Sequence, residues 1–172
     1  MHEAAPAGGE PFAELGEVGE DRPGGGMSTS RITGGSYLIP RLENARVADA
    51  MRHGVFSCPA GATLRDAART MSLHHVHTIV VTDPSDGSPW GILSDGVLLA
   101  ALLDSPQGER PLRDVADRDL AMVSSAEPLL GAAQLMRERG VAHLLVRDAR
   151  SGRPIGMLST LDVAGILAWG EA

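Results

Sequence analysis

The sequence predicts an α+β fold of two β-α-β-β-α units packed as a pseudo-symmetric pair, preceded by a polar tail. The first observation is an internal repeat. Val47–Leu102 lies over Leu112–Leu167 without a gap, at a spacing of 65 residues. Fourteen of the 56 overlaid positions are identical, and 12 of them fall in the 31-residue window Leu64–Ser94, where chance gives about two. The second observation is that both copies change periodicity at the same places, from helical to strand-like and back. The third is a sharp change in composition ahead of the first copy.

Within each copy the elements follow in one order. "GVFSC" and "DLAMV" read as short leading strands. "LRDAARTM" (64 to 71) and "LLGAAQLM" (129 to 136) place Leu64, Ala67, Ala68, Met71 and Leu129, Ala132, Ala133, Met136 on one helical face. "HTIVVTD" and "HLLVRDA" are β-branched or leucine-rich strands. "SDGSP" and "RSGRP" supply hairpin turns with Gly and Pro at matched positions, leading into the strands "WGILS" and "IGMLS". Ser94 and Ser159 then open the helices "DGVLLAALLD" and "TLDVAGILAW". A short helix, "VADAM" or "LRDV", stands ahead of each copy.

Nine of the 21 glycines lie in the first 35 residues, among Pro, Glu and Ser, so residues 1–35 are expected to be a disordered acidic tail. Met27, after "RPGGG", offers a second candidate start. The two repeats are assigned to residues 46–104 and 111–169.

Bulk properties narrow the function. With 172 residues and 43% apolar content, a packed core is attainable, and no apolar run approaches the roughly 20 residues of a membrane span. The N-terminus lacks the basic-then-apolar layout of a signal peptide, which leads to the expectation of a cytoplasmic protein. The net charge of -7 is concentrated in the tail: residues 1–26 hold six acids against Arg22, leaving 16 acids against 14 arginines, with no lysine, in the rest. No basic stripe and only five aromatic side chains argue against nucleic acid as a partner. The single cysteine, Cys58, excludes an intramolecular disulfide and reads as a small buried thiol. No nucleophile–base pair or matched carboxylate pair is evident, so the chain is not expected to be an enzyme, and no cofactor is required.

One phrase is written twice with a difference. "GMLSTLD" (156 to 162) ends in Asp162, while "GILSDGV" (91 to 97) has Val97 at the same place. The segments "ATLRDAARTM…VHTIVVTD…GSPWGILSDGVLLAAL" and "EPLLGAAQLMRERGVAHLLVRD…GRPIGMLSTLDVAGIL", in this register, resemble a tandem pair of CBS domains, the Bateman module. The resemblance covers residues 46–168 and implies two three-stranded sheets packed about a pseudo-twofold axis with two clefts. It also implies a regulatory role, with an adenosine-containing ligand (AMP, ADP, ATP or S-adenosylmethionine) in a cleft.

Elementary chemistry is compatible with such a cleft. Ser159 starts the last helix, where amide N–H groups and the helix dipole favour a phosphate, and Thr160 adds a hydroxyl at the mouth. Asp162, one turn in, is suited to accept hydrogen bonds from the vicinal hydroxyls of a ribose. By the family's rule the acid comes from one repeat and the purine-facing strand from the other. The resemblance therefore implies that Val76, His77 and Thr78 face a purine, with Met51 and Phe56 on the apolar side and Met157 in the strand leading to Ser159. A protonated His143 would contact phosphate. The other reading of S-x-x-D is a helix N-cap with an acid at N3, which stabilises by about 1 kcal/mol and needs no ligand. The two roles are compatible. In the first repeat Ser94 keeps the cap and Val97 removes the acid, while Asp95 would repel a phosphate, so one cleft is expected to be degenerate.

The triplet His74, His75 and His77 reads as solvated helix-end histidines in preference to a metal site, for want of a fourth ligand. Trp90 and Trp169 are expected at core edges, with Trp169 also placed for a dimer contact. Arg137, Glu138 and Arg139 form a solvated helix face, from which an arginine could reach a ligand phosphate, and Gly140 is a C-cap. The expectation is a stand-alone regulator acting in trans through a homodimer or a protein partner. The alternative is a ligand-free interaction module.

Overall fold

The computed structural model describes residues 39–170; the acidic tail and the candidate start at Met27 lie outside the described residues. Elements run in the order α1 (Val47–Ala50), β1 (Arg52–His53), β2 (Ser57–Pro59), α2 (Leu64–His74), β3 (Thr78–Thr82), β4 (Pro89–Ser94) and α3 (Asp95–Asp104). A 3-10 turn at Leu112–Asp114 leads into β5 (Met122–Ser124), α4 (Leu129–Arg139), β6 (His143–Arg147), β7 (Pro154–Ser159) and α5 (Thr160–Trp169). The mixed α+β architecture and the repeat are as the sequence predicts.

Helix boundaries follow from caps. Thr63 and Asp66 form a reciprocal capping box on α2, with the Asp66 N–H donating to Thr63 Oγ1 at 3.3 Å and the Thr63 N–H to Asp66 Oδ2 at 3.0 Å. Helices α2 and α4 both end on a left-handed residue, His75 (φ 52°) and Gly140 (φ 65°). The hairpins are also built alike. Asp83 Oδ1 accepts from the amide and hydroxyl of Ser85, and Asp148 Oδ1 from those of Ser151. These bonds hold both carboxyls below the usual carboxylate range, and Gly87 and Gly152 supply the left-handed turn residue at φ 71° and 70°. The identity of Asp83 with Asp148 and of Gly87 with Gly152 is thus turn chemistry.

One sheet has the order β2-β3-β4, with β2 parallel to β3. The other has four strands, β1-β7-β6-β5, where three were expected. The extra strand is β1, which leaves the first repeat and pairs antiparallel with β7 of the second (Arg52↔Met157, His53↔Gly156). The leading segments cross over as well. Val47 and Met51 are buried in one core with Leu129, Leu144 and Leu158, while Leu112 is buried in the other with Leu64, Ile79 and Leu93. Each short leading helix therefore seals the core of the other repeat, which ties the two into one unit.

Both faces of the central strands are covered, which explains their near-continuous apolar runs. Ile79 and Val81 point into one core and Leu144 and Val146 into the other. The alternate positions Val80 and Leu145 are buried outside both cores, on the face they share with Thr78 and His143. Across that face Thr78 Oγ1 and His143 Nδ1 pair at 3.1 Å. They occupy the same position in the two repeats, so this bond sits on the pseudo-twofold relation.

Candidate functional site

The site is assembled where β7 becomes α5. Ser159 caps α5, its Oγ accepting from the Asp162 N–H at 3.2 Å. In return Asp162 Oδ2 accepts from the Ser159 N–H at 2.8 Å and its hydroxyl at 2.5 Å. The capping-box reading of S-x-x-D is therefore realised. Oδ1 of Asp162 faces β1 and accepts from Arg52 Nε at 3.2 Å, in a pair whose side chains are 10% and 72% exposed respectively. Thr160 is exposed at the helix start, and its N–H is bonded to Ala142 O at 3.0 Å. Two amides of the first turn, those of Thr160 and Asp162, are thus already engaged.

The first-repeat residues lie on the adjoining strand start. Val76 terminates α2 through its N–H to Met71 O, and His77 O accepts from the Asp95 N–H at 2.9 Å. The β2–β3 ladder begins at Ser57↔Val80, so residues 76–78 precede the part of β3 that β2 covers. Thr78 is buried against His143, and Met157 sits opposite Arg52 in β7. Phe56 stacks on His74, with ring centroids 4.2 Å apart. Met51 is packed into the second core instead of presenting an open apolar wall.

His143 lies inside the pair of repeats. The ring is half-buried, and desolvation pushes its pKa below the ordinary value of 6.5, against the pull of Asp95 and Asp162 and aided by His77. Burial of the ring thus opposes the protonated form that a phosphate contact needs. Because the folded protein binds this proton more weakly than the unfolded chain, His143 contributes no penalty above pH 6.5 and costs stability as the pH falls through that value. The carboxylates with resolved shifts titrate below their ordinary 3.8, well outside that window. His143→Gln is therefore expected to flatten part of the fall in Tm between pH 7 and 5, as measured by thermal unfolding in matched buffers.

The second cleft has different chemistry. Ser94 caps α3 through the Val97 N–H at 3.3 Å, but Val97 returns no carboxylate. Asp95 pairs with His77 at 2.7 Å, a bond that holds its carboxyl below the usual range. Among the described residues no His, Cys, Asp and Glu cluster fits a metal: His74 stacks on Phe56, His75 ends α2, and His77 faces Asp95. Cys58 is buried beside Thr70 Oγ1 at 3.5 Å. Trp90 carries the Arg118 guanidinium 4.5 Å from its ring centroid, whereas Trp169 is 74% exposed and covers no core edge among the described residues. Apolar grooves of about 350 and 230 Å³ lie between α2 and α3 and between α4 and α5, at matched positions. His77 lines the first and Thr160 the second, so the ten predicted residues do not share one cavity.

Sequence reasoning missed Arg52. Its signal was indirect: Gly91 and Gly156 recur in register, and each is a point where another chain segment crosses the strand. An added Cβ on Gly91 would lie 2.8 Å from Asp117 O, and one on Gly156 would overlap Arg52 O. The crossing segment is what carries Arg52 to Asp162.

Two repeats that exchange leading helices around a shared polar axis define a paired-repeat module. The CBS domain family matches residues 47–104 and 112–168, and the chain belongs to that family, with two tandem copies. It is 28% identical over 116 residues to Protein sds23 of Aspergillus niger, a match covering 61% of this chain and 22% of that protein. The chain thus spans about a fifth of that curated relative. Among solved structures it is similar to the CBS domain protein PAE2072 from Pyrobaculum aerophilum complexed with AMP (TM-score 0.64, 24% identity, 72% of this chain, 98% of that one). It is also similar to the CBS domain pair of MJ0100 in complex with 5′-methylthioadenosine and S-adenosyl-L-methionine (TM-score 0.64, 17% identity, 72% of this chain, 96% of that one). At these identities the likeness establishes the fold. Among the described residues no helix is long and apolar enough to cross a membrane.

Proposed function

We propose that this chain is a regulatory, non-catalytic CBS pair that binds an adenosine-containing ligand at the Asp162 cleft and signals through dimer or partner contacts. The observation that carries the reading is the asymmetry between the two helix starts. A largely buried carboxylate stands at Asp162, next to the Ser159–His143 strand pair that Thr78 of the other repeat joins by a hydrogen bond, and an apolar side chain stands in its place at Val97. Relatives of the same fold crystallised with AMP or with S-adenosyl-L-methionine support the ligand class. A ligand spanning both repeats would add contacts in one packing of the pair and bias the surface that pair presents.

That surface is the proposed site of homodimerisation. Helices α3 and α5 leave Leu99, Leu103, Leu161 and Leu167 between 61% and 78% exposed, with Trp169 beside them. These exposed side chains, together with the engagement of Asp162 by its own cap, support a second reading: an interaction module that needs no ligand. The cytoplasm, where adenine nucleotides are abundant, is the proposed compartment.

A thermal-shift titration with AMP, ADP, ATP, S-adenosylmethionine and adenosine separates the two, with sedimentation velocity run with and without each compound. Selective binding to the folded state must raise Tm with concentration, by about 2.7 kcal/mol of stability at a hundredfold excess over Kd. A flat response across the panel from the folded chain rejects the ligand-binding reading and leaves the interaction module.

A further inference from the structure

Four observations concern Arg52. Its Nε occupies the outward oxygen of Asp162, while the inward oxygen is held twice by Ser159, so a sugar diol reaching Asp162 meets Arg52 first. Its backbone is fixed in the β1–β7 ladder opposite Met157, so only the exposed side chain can swing. Among the described residues Asp162 is its only ion-pair partner. Finally, the Arg52–Asp162 pair has no counterpart in the other repeat. In the 65-residue register Asp117, whose Oδ1 accepts from the Asp119 N–H, stands where Arg52 does, and Val97 where Asp162 does, so the other helix start has no such arginine–aspartate pair.

The remaining sources of positive potential at the first cleft are weak. His143 is pushed towards its neutral form, and the Thr160 and Asp162 amides are committed to Ala142 and Ser159. Arg137 lines the α4–α5 groove with Thr160 and has no ion-pair partner among the described residues.

We infer that Arg52 is a specificity-determining latch: it closes on Asp162 in the empty cleft, and on ligand binding it yields the carboxylate to the ribose and takes the phosphate. This rests on the adenosine-ligand reading above and narrows it to phosphorylated nucleosides. A guanidinium gains charge-assisted, often bidentate bonds from a phosphate and none from a sulfonium. AMP restores the arginine's lost partner; adenosine displaces it without replacement; S-adenosylmethionine brings a second positive charge next to it. The latch thus makes opening more favourable for a ligand that carries a phosphate.

The test is isothermal titration of AMP, adenosine and S-adenosylmethionine into the wild-type chain and into Arg52→Ala and Arg52→Lys. The wild type is expected to prefer AMP over both other compounds. Arg52→Ala is expected to weaken AMP by roughly 10- to 100-fold, the worth of a charged hydrogen bond, while adenosine binds as well or better because Asp162 is freed. Arg52→Lys, which keeps the charge but not the fork, is expected to recover part of the AMP affinity, and it serves as the readout if the alanine variant does not fold. If both AMP and adenosine bind and their affinity ratio is the same in all three proteins, or if S-adenosylmethionine binds the wild type more tightly than AMP, the latch is wrong and the cleft reading stands. If no compound binds any of the three, the cleft reading itself falls, and the latch with it.

Discussion

Gly156→Ala is expected to lower the stability of the fold by about 3 kcal/mol and Tm by on the order of 10 °C, more than any conservative surface change. The added methyl would overlap the carbonyl oxygen of Arg52, and the Cα of His53 lies 3.4 Å from it, so backbone would have to move. Movement there separates β1 from β7 and pulls on α1 and its C-cap, whose Val47 and Met51 fill the second core. Gly91→Ala meets the equivalent Asp117 carbonyl at 2.8 Å, and a smaller loss is expected. The same substitution at Gly131, inside α4 with nothing within 4 Å, is expected to raise stability by about 0.5–1 kcal/mol, because only the entropy of the unfolded chain changes. Urea unfolding of the three variants checks the order. A Gly156→Ala protein as stable as wild type would mean that β1 does not cross β7 as described.

Asp162→Ala is expected to reduce affinity for AMP by roughly 100-fold, since the ribose loses the one outward-facing charged acceptor, Oδ1, and a charged hydrogen bond contributes about 1.5–3 kcal/mol. The same variant loses the acceptor half of its capping box, which costs about 1 kcal/mol of stability whether or not a ligand exists. The two effects are separated by measuring Tm without ligand and the ligand-induced rise in Tm. A fall in the first with the second intact would assign Asp162 to the cap alone. Asp162→Asn, which preserves shape and one acceptor oxygen, is expected to fall between wild type and alanine in both measurements.

How the site could be read from the sequence depended on the range of each interaction. Ser159 and Asp162 lie within one helical turn, so their spacing alone encodes the cap, and the substitution of Val97 marks the difference between clefts. The repeated Asp–Gly pairs of the hairpins were visible as turn signals for the same reason. His143 shows where local reading stopped. Its lowered pKa comes from burial, its ring is bonded to Thr78 of the other repeat, 65 residues away, and no motif around His143 records that environment. Met51 likewise was near the cleft in sequence pattern but is committed to the core of the opposite repeat.

Periodicity and the 65-residue repeat thus determined the elements, their order, the pairing of two units, and the acid present in one copy but absent from the other. These are properties of short segments, carried by side chains within a turn or a strand of each other. Only the tertiary structure decided that the leading helices are exchanged, that β1 makes the second sheet four-stranded, and that Arg52 therefore stands on Asp162 across 110 residues of chain. That contact depends on where a two-residue strand with no alternation of its own docks. Its place is set by the absence of a side chain at Gly156 and by the apolar surface that Val47 and Met51 bury in the second core.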